Sequence, residues 1–434
     1  MSSGSCRTTR RVGPTVRSLV SILLFGASIA CGADGPGSIG ATPADTTILC
    51  GSQSHPIVLR KSGTREAPRV VSVCKEGFKV KSRTSPALTV LGNYITVQGG
   101  TYASADHPAI VVSGSNVTIS NVVARDSKHG IHINGDDLSD ISIFDSEITS
   151  NKLVGIYLNE YRPRHSYKRL RIERNRIHEN GNHGIRLWFD DRTIQKSGVS
   201  DVVIRENEVV DNGADGIVVV QHSVDYQAPT PVMFDVVIEE NTVRRNAGGI
   251  ALRGVGSSTG YYGKSYIRNN VCSDNLSVTG GINIFWTSYL DIVGNDCSGN
   301  RSDTIDGNGI LIDHGNRQIR IEKNRASNNS GNTAHLNSGV GIMVLDSSEI
   351  FVKNNVVEGN KIGIYFGGQA GARDVVVSGN EIADSKRVGL FVHKAAPNKG
   401  FEFSANAIRG KAAPFEINNA EALLRNTGNA VSLE

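Results

Sequence analysis

Residues 175–189 read NRIHENGNHGIRLWF, residues 207–221 read NEVVDNGADGIVVVQ, and residues 241–253 read NTVRRNAGGIALR. In each stretch two asparagines stand five positions apart, and a glycine followed by alternating apolar residues comes after them. An alternation with a period of two indicates a β-strand with one face buried and the other open. Each stretch therefore encodes a turn, a short strand and a second strand.

The same pattern recurs along most of the chain. A Gly-Ile-x-(Ile/Leu/Val) motif, or a close variant, has its glycine at positions 130, 155, 184, 216, 249, 281, 309, 341, 363 and 389, at intervals of 22 to 33 residues. Asparagine tolerates turn conformations, and asparagines stacked at one turn of successive coils can bond to each other. Repeats of this length indicate a solenoid whose coils lie ~4.8 Å apart.

We therefore predict an all-β fold, a right-handed parallel β-helix of ten or more coils over residues 81–410. Residues 31–80 are less regular, and we predict that they cap the N-terminal end. Residues 411–434 lose the motif, and we predict a C-terminal cap or tail there.

Residues 1–30 have the pattern of a signal peptide. Four arginines precede a short apolar run at residues 18–30, SLVSILLFGASIA, and Cys31 follows at once. The sequence SIAC is similar to a bacterial lipobox, with serine where leucine is preferred. We predict export from a bacterial cytoplasm to the periplasm, the outer membrane or the exterior, with no transmembrane span. A lipid anchor on Cys31, simple cleavage after Ala30 and a buried helix stay open as alternatives.

Without residues 1–30 the chain is electrically balanced. Four of the 46 basic residues lie in that segment, which leaves 42 basic against 42 acidic residues. A neutral chain gives no sign of a nucleic-acid surface. Export permits disulfides. Cys50 and Cys74 are one candidate pair, and Cys272 and Cys297 share an inward column as either stacked thiols or a disulfide.

The outward places of the Gly-Ile strands hold both tryptophans of the chain, with histidines, arginines and further aromatics. The predicted outward set is His132, Asn134, Tyr157, Asn159, Glu160, Arg186, Trp188, Phe189, Val218, Val220, Gln221, Arg253, Asn283, Phe285, Trp286, Asp313, His314, Met343 and Asp346. Such a surface is typical of a ligand site, and aromatic rings can stack on sugar rings. Aromatics packed beneath loops are the alternative.

Long insertions follow four consecutive coils, as in sites built on a rigid scaffold. The first insertion contains Arg164, His165 and three further basic residues, and the third begins near His222. We predict that these residues contact an anionic polysaccharide. A solvated loop is the plain alternative.

One column of this face suggests catalysis. His132, Tyr157 and Arg186 hold the same place on three successive coils, and Asn134, Asn159 and Trp188 stand beside them. Removing the proton beside a uronate carboxylate requires a base, a proton donor and a group that offsets the developing negative charge. We predict His132, Tyr157 and Arg186 as catalytic residues. Plain substrate contacts and an incidental surface are the alternatives.

Other chemistries have weaker support. A glycoside hydrolase needs two carboxyl groups that flank the scissile oxygen. Asp136/Asp137 and Asp190/Asp191 are available, and Glu160 and Asp313 point into the same face. Asp313 and His314 are adjacent, so they face opposite ways unless the strand ends there. No metal ligands are predicted, and no loop shows a dedicated calcium motif, although clustered acids leave Ca²⁺ open as a cofactor.

With these coils, asparagine turns and exposed aromatics, the chain resembles the right-handed parallel β-helix superfamily of carbohydrate-active proteins. Pectate lyases, alginate lyases and mannuronan C5-epimerases belong to that group. The Asp-Pro-His-Asp motif of the alginate epimerases is absent. The Trp-Ile-Asp-His signature of pectate lyases is matched only by Ile312-Asp313-His314, and the Gly-His-Gly of polygalacturonases only by Lys128-His129-Gly130. The resemblance implies the fold, and it transfers no catalytic set.

The function predicted from the sequence is an exported enzyme on a uronate-containing polysaccharide, with lyase or C5-epimerase chemistry. Its predicted substrate contacts are Asn134, Asn159, Glu160, Arg164, His165, Trp188, His222, Arg253, Phe285, Trp286, Asp313 and His314. A non-catalytic glycan-binding β-helix is the second hypothesis, and a glycoside hydrolase is the third.

Overall fold

The computed structural model describes residues 45–160, 166–190, 198–222, 233–257, 259–276, 280–304, 306–394, 398–418 and 423–433. These ranges contain 42 β-strands, and within them no helix is long and apolar enough to cross a membrane. The predicted signal segment and Cys31 lie outside the described residues.

The strands stack into the three faces of a right-handed parallel β-helix, as the sequence predicted. The Gly-Ile strands form a 14-stranded face, which we call the front sheet. Its strands are β2 Ile57–Leu59, β4 Leu88–Val90, β7 Ile110–Val112, β10 Ile131–Ile133, β13 Ile156–Glu160, β16 Ile185–Asp190, β19 Asp215–His222, β22 Gly248–Arg253, β26 Ile282–Phe285, β28 Ile310–Ile312, β31 Val340–Leu345, β34 Ile362–Gly367, β37 Val388–Val392 and β40 Ala413–Ile417.

The remaining strands form two further faces, the second and third sheets. The second sheet contains β1 Thr46–Gln53, β3 Arg69–Ser82, β5 Ile95–Gln98, β8 Val117–Ser120, β11 Ser139–Phe144, β14 Ser166–Glu173, β17 Gly198–Arg205, β20 Met233–Glu239, β23 Val255–Gly256, β24 Ser265–Arg268, β27 Ser288–Val293, β29 Arg317–Glu322, β32 Ser348–Lys353, β35 Arg373–Ser378, β38 Lys399–Ser404 and β41 Leu423–Thr427. The third sheet contains β6 Thr101–Ser104, β9 Val123–Arg125, β12 Glu147–Thr149, β15 Arg176–His178, β18 Glu208–Val210, β21 Thr242–Arg244, β25 Val271–Ser273, β30 Arg325–Ser327, β33 Val356–Glu358, β36 Glu381–Ala383, β39 Ala407–Arg409 and β42 Ala430–Ser432.

The coils stack in the register that the repeat predicts. Ile156 pairs with Ile185, and Ile185 pairs with Ile217, so equivalent residues of successive repeats are neighbours. The second and fourth residues of every Gly-Ile motif point inward, and none of them is more than 1% exposed. These columns of branched apolar side chains form the core.

Parallel pairing extends beyond the predicted range of 81–410 at both ends. β1 pairs with β3, β2 pairs with β4, and β40 pairs with β37. The end strands β1 and β42 are largely exposed. Because they have a neighbouring coil on only one side, their residues do not show the apolar alternation that marks the inner coils.

Two columns of buried asparagines run along the helix at its turns. In the first column, the side-chain Nδ2 of Asn207 donates to Oδ1 of Asn241 at 2.9 Å, and Nδ2 of Asn241 donates to Oδ1 of Asn270 at 2.9 Å. Asn241 Nδ2 also donates to the backbone oxygen of Ile204. The second column joins Asn180, Asn212 and their equivalents in the same way. The predicted amide stacking is thus confirmed.

The glycine of the Gly-Ile motif is required by the close approach of these columns. A Cβ on Gly184 would lie 2.4 Å from Val209 Cγ1, 2.8 Å from the backbone oxygen of Gly216 and 3.1 Å from Nδ2 of Asn212. The chain therefore turns inward at this glycine, and the strand begins after it.

The two predicted cysteine pairs are in different states. Cys50 and Cys74 form a disulfide between β1 and β3, with a Cα–Cα distance of 5.3 Å. Cys272 and Cys297 are buried free thiols on adjacent coils. Of the two alternatives for this pair, the structure has the stacked thiols.

We predict that Asn241→Ala lowers the free energy of unfolding by at least about 3 kcal/mol, because it leaves several buried amide and carbonyl groups without partners. Urea unfolding measures this loss. The exposed Asn418 is the matched control, and Asn418→Ala should change the free energy by about 0.5 kcal/mol or less. An equal effect of the two substitutions would contradict the structural role of the asparagine columns.

Candidate functional site

The outer surface of the front sheet carries two adjacent cavities. The first has a volume of about 380 Å³ and is lined by His129, His132, Asn134 and Tyr157. The second has a volume of about 560 Å³ and is lined by Trp188, Arg253, Trp286, Asp313 and His314 among others. From β10 to β28 the surface crosses six strand spacings, or about 29 Å. We call this surface the front groove.

The predicted catalytic column is assembled in register. His132 pairs with Tyr157, and Tyr157 pairs with Arg186. The rings of His132 and Tyr157 stack with centroids 5.0 Å apart, and the Arg186 guanidinium carbon lies 5.9 Å from the centre of the Tyr157 ring. Three different polar groups thus meet at one place in the front groove.

A second histidine completes this cluster. The ring of His129 also stacks on the ring of Tyr157, with centroids 4.5 Å apart and an angle of 12° between the rings. Tyr157 is therefore held against two imidazoles. Sequence reasoning missed His129 as a site residue because it precedes Gly130, where the strand alternation has not yet begun.

Burial keeps both imidazoles neutral. Burial is the main cause that lowers the pKa of His132 to about 4, with the charge of Lys128 as a smaller cause. Burial is also the main cause that lowers the pKa of His129 to about 4, with the nearby His132 and Lys128 as smaller causes. At pH 7 each ring thus has a free nitrogen lone pair that can accept a proton.

Two arginines lie over tryptophans along the front groove. The guanidinium carbon of Arg186 is 4.1 Å from the Trp188 ring centre, and that of Arg253 is 4.3 Å from the Trp286 ring centre. Cation–π contacts hold such guanidiniums flat on the rings. Each pair therefore presents a positive charge beside an aromatic surface, which suits a sugar that carries a carboxylate.

Asp313 and His314 both reach the front groove because β28 ends at Ile312. The two side chains contact each other, and His314 Nε2 lies 3.1 Å from Oδ2 of Asp346. Burial raises the pKa of Asp313. The same end effect turns Trp286 into the groove, since β26 ends at Phe285 and Trp286 has a left-handed φ of 40°.

Some predicted outward residues point into the protein. Phe189 is 6% exposed and packs on Tyr167, and Gln221 is buried. Strands β16 and β19 continue past the fifth place of the motif, so the sixth place faces inward. Met343 lies in a separate buried cluster on the C-terminal coils, against which Leu336 packs. On the C-terminal coils of the front sheet, therefore, the predicted outward side chains are covered by other residues and do not form an open surface.

The structure does not describe the side chains of several predicted substrate contacts. Arg164 and His165 lie outside the described residues. Asn159, Glu160 and His222 have a described backbone but no described side chain. Asn134 is exposed at the edge of the first cavity. In the described ranges, no three His, Cys, Asp or Glu side chains are grouped so that they could hold a metal ion.

The second cavity also contains residues that sequence reasoning did not select. His183 and Asp215 line it, with His183 Nδ1 3.8 Å from Oδ2 of Asp215. Burial lowers the pKa of His183, and the charge of Asp215 opposes that shift. Like His129, both residues directly precede the motif glycine. A search for polar residues directly before each motif glycine would have identified His129, His183 and Asp215 from the sequence.

The described carboxylates of the second cavity do not form a glycosidase pair. Asp215 begins β19 and Asp313 follows β28, which puts them three strand spacings, or about 14 Å, apart across the sheet. The carboxyl groups of glycosidases are about 5 to 10 Å apart. This pair is therefore too far apart for two-carboxylate hydrolysis, whereas Asp346 approaches Asp313 through their shared contact with His314.

Comparison with known proteins agrees with the fold. The family model described as "Right handed beta helix region" matches residues 70–226, 192–335 and 330–430. No curated protein sequence matches the chain.

Two solved structures illustrate the likeness. The A-module of the Azotobacter vinelandii mannuronan C-5 epimerase AlgE6 is 13% identical, with 84% of this chain and 91% of that chain covered and a TM-score of 0.47. The DFA-IIIase of Arthrobacter chlorophenolicus is 12% identical, with 73% and 86% covered and a TM-score of 0.43. At these identities and TM-scores the two structures assign no role to any residue here.

The lowered histidine pKa values predict a pH dependence of stability. Unfolded histidine binds a proton near pH 6.5, whereas folded His132 binds one only near pH 4. The unfolded chain therefore binds more protons between these values, and stability falls as the pH drops from about 6.5 towards 4. His132→Phe keeps a flat ring on Tyr157 and should make this fall shallower.

Thermal unfolding at several pH values measures the effect. His55 is exposed, and His55→Phe is the matched control, for which we expect the wild-type slope. An unchanged slope in His132→Phe would contradict the neutral, buried state of this imidazole.

Proposed function

The chain belongs to the right-handed β-helix family, and on that premise we propose that it is an enzyme acting on an acidic polysaccharide bound along the front groove. The proposed reaction is removal of the proton beside a uronate carboxylate, by lyase or C5-epimerase chemistry. The observation that carries the proposal is the cluster of His132, Tyr157 and Arg186, in which neutral imidazole, phenol and guanidinium stand on three successive strands.

The front groove suits an acidic sugar chain. Arg186 and Arg253 supply positive charge, and Trp188 and Trp286 supply flat apolar rings beside it. The Nε of Arg186 is buried and has no hydrogen-bond partner among the described residues. An unpaired buried donor is costly, and a carboxylate oxygen of the substrate would satisfy it.

Arg186 has the central electrostatic role in the proposed reaction. When the proton leaves C5, negative charge develops on the uronate carboxylate. A guanidinium that faces this carboxylate stabilises the charged intermediate more than the ground state. Arg186 therefore lowers the barrier to proton removal, and it also orients the sugar over the column.

His132 is the proposed base. Its imidazole is neutral at pH 7 and accepts the C5 proton. A bound polyanion adds negative charge beside the ring, which moves the pKa of His132 from about 4 towards its ordinary value. Substrate binding thus strengthens the base at the moment it is needed.

Tyr157 is the proposed proton donor. In a lyase reaction its phenol gives a proton to the glycosidic oxygen on C4 as the C4–O bond breaks, and a C4=C5 double bond forms. In an epimerase reaction the C4–O bond stays intact, and the Tyr157 phenol gives its proton to C5 on the face opposite to the one that His132 deprotonates. Both reactions begin with the same removal of a proton by His132.

We also propose that the protein works outside the bacterial cytoplasm. The arginines and apolar run of residues 1–30 support export, and Cys31 offers a site for a lipid anchor. A polysaccharide of the cell envelope or the surroundings would be accessible there.

A non-catalytic glycan-binding β-helix is the second candidate, and one observation favours it. The Tyr157 ring stacks on both His129 and His132, at 4.5 Å and 5.0 Å, and the two imidazoles are 6.0 Å from each other. Such a stack is also a rigid platform on which a sugar could lie without reacting. Kinetics of a variant distinguishes the two candidates.

We predict that Tyr157→Phe lowers kcat on the substrate polysaccharide by about 100- to 10,000-fold, because the variant has no phenolic proton to give. Binding affinity, measured by calorimetry, should stay within about threefold, since the ring stack is kept. Tyr266 lies on the second sheet, and Tyr266→Phe is the matched control with unchanged kinetics. Unchanged turnover in Tyr157→Phe would remove this residue from the mechanism.

The pH profile provides an independent test of the base. In the free enzyme His132 stays unprotonated down to a pKa of about 4, so kcat/KM should hold constant from pH 7 to about 5 and fall below it. The profile of kcat/KM reports the free enzyme. An acidic limb near pH 6.5 would show instead that an ordinary, exposed histidine is the base.

A further inference from the structure

Between the two arginine–tryptophan pairs, the front groove has an apolar floor. Val218 and Ala251 continue the column of Arg186, and Val220 continues the column of Trp188. All three small side chains line the second cavity. Because Trp188 and Trp286 are larger and stand on either side, the floor forms a hollow in the groove. We call these three residues the apolar hollow.

One polar side chain stands at the edge of the apolar hollow. Asn283 pairs with Ala251, so it is the next member of the same column. Its side chain lines the second cavity and is 4% exposed, and its Oδ1 has no hydrogen-bond partner among the described residues. A buried carbonyl oxygen without a donor is costly. The oxygen therefore points to a ligand that donates an N–H or O–H group here.

The spacing of the arginines fits a polymer with two alternating sugars. Arg186 on β16 and Arg253 on β22 are two strand spacings apart, about 10 Å across the sheet. Two sugar units span such a distance in an extended chain. The carboxylates of two uronates could therefore reach the two guanidiniums while the sugar between them lies over the apolar hollow.

We propose that the front groove binds an acidic polysaccharide in which uronates alternate with an N-acetylated amino sugar. The acetamido methyl group packs into the hollow of Val218, Val220 and Ala251. The acetamido N–H donates to Oδ1 of Asn283. This assignment rests on the proposed function, because it takes the front groove as a site for acidic polysaccharide, and it adds the identity of the second sugar.

A homopolymer of uronates fits the same surface less well. Its middle unit would place a carboxylate over the apolar hollow, where burial of an unpaired charge is unfavourable. It would also leave Oδ1 of Asn283 unpaired. The apolar hollow and Asn283 thus disfavour a carboxylate on the middle sugar, whereas the arginines favour carboxylates on the sugars on either side of it.

The test compares three oligosaccharides of equal length by calorimetry on the wild-type protein. The probes are a glucuronate/N-acetylglucosamine alternating oligomer, an oligogalacturonate and a neutral N-acetylglucosamine oligomer. Burying one methyl group and making one hydrogen bond favour the alternating oligomer by about tenfold over the oligogalacturonate. The acetyl methyl should also show the strongest saturation-transfer NMR signal.

Variants locate the effect. Asn283→Leu should weaken binding of the alternating oligomer by about tenfold, with a change below about twofold for the oligogalacturonate. Gln98 is exposed on the second sheet, and Gln98→Leu is the matched control. Thermal unfolding checks that each variant is folded, and the wild-type comparison decides the question without any variant.

Each outcome has one meaning. Tighter binding of the alternating oligomer, lost selectively in Asn283→Leu, supports the proposal. Equal or tighter binding of the oligogalacturonate by the wild-type protein, or an equal loss for both acidic oligomers in Asn283→Leu, overturns the acetamido site and leaves the proposed function standing. Binding of the neutral oligomer as tight as the alternating one, or no binding of either acidic oligomer, overturns both.

Discussion

The parallel coils depend on the two columns of buried asparagines. At each turn the backbone leaves the strand geometry, and residues such as Glu206 and Glu240 take left-handed φ angles just before Asn207 and Asn241. The amide of Asn207 then donates to the backbone oxygen of Ile172 on the preceding coil and to the side-chain oxygen of Asn241 on the next one. Because an unpaired buried amide is costly, every coil has to stack on its neighbour in one register.

That register gives the front sheet its chemistry. Once coil stacks on coil without slippage, any side chain at the third place of the motif stands one strand spacing from its equivalents. His132, Tyr157 and Arg186 meet for this reason alone, and no loop has to position them. The rigid sheet also holds the imidazole of His132 partly buried and neutral, with a pKa of about 4. A structural constraint at the turns thus sets both the geometry and the protonation state of the candidate site.

The regular part of the protein could be predicted from sequence, and its exceptions could not. The period-two alternation placed Ile185, Ile217 and the column of Tyr157 correctly, because successive side chains of a regular strand point to opposite faces of the sheet. Trp286 and the Asp313–His314 pair depend on where a strand ends, and no periodic signal marks that point. His129 and His183 precede the glycine, where the chain bends. The cluster that contains Met343 is covered in part by Leu336, which precedes β31 and lies outside the repeat motif.

In the proposed reaction, the column of His132, Tyr157 and Arg186 removes a proton beside a uronate carboxylate. Proton NMR in deuterated buffer tests it most directly, with purified protein and polymers of uronate alone or of uronate alternating with N-acetylated sugar. If the column removes this proton, either vinyl signals of an unsaturated uronate or deuterium at C5 of an intact chain will appear, and both will be lost in Tyr157→Phe. Acidic polymers that bind along the groove but gain neither signal would contradict the catalytic claim and leave a glycan-binding β-helix.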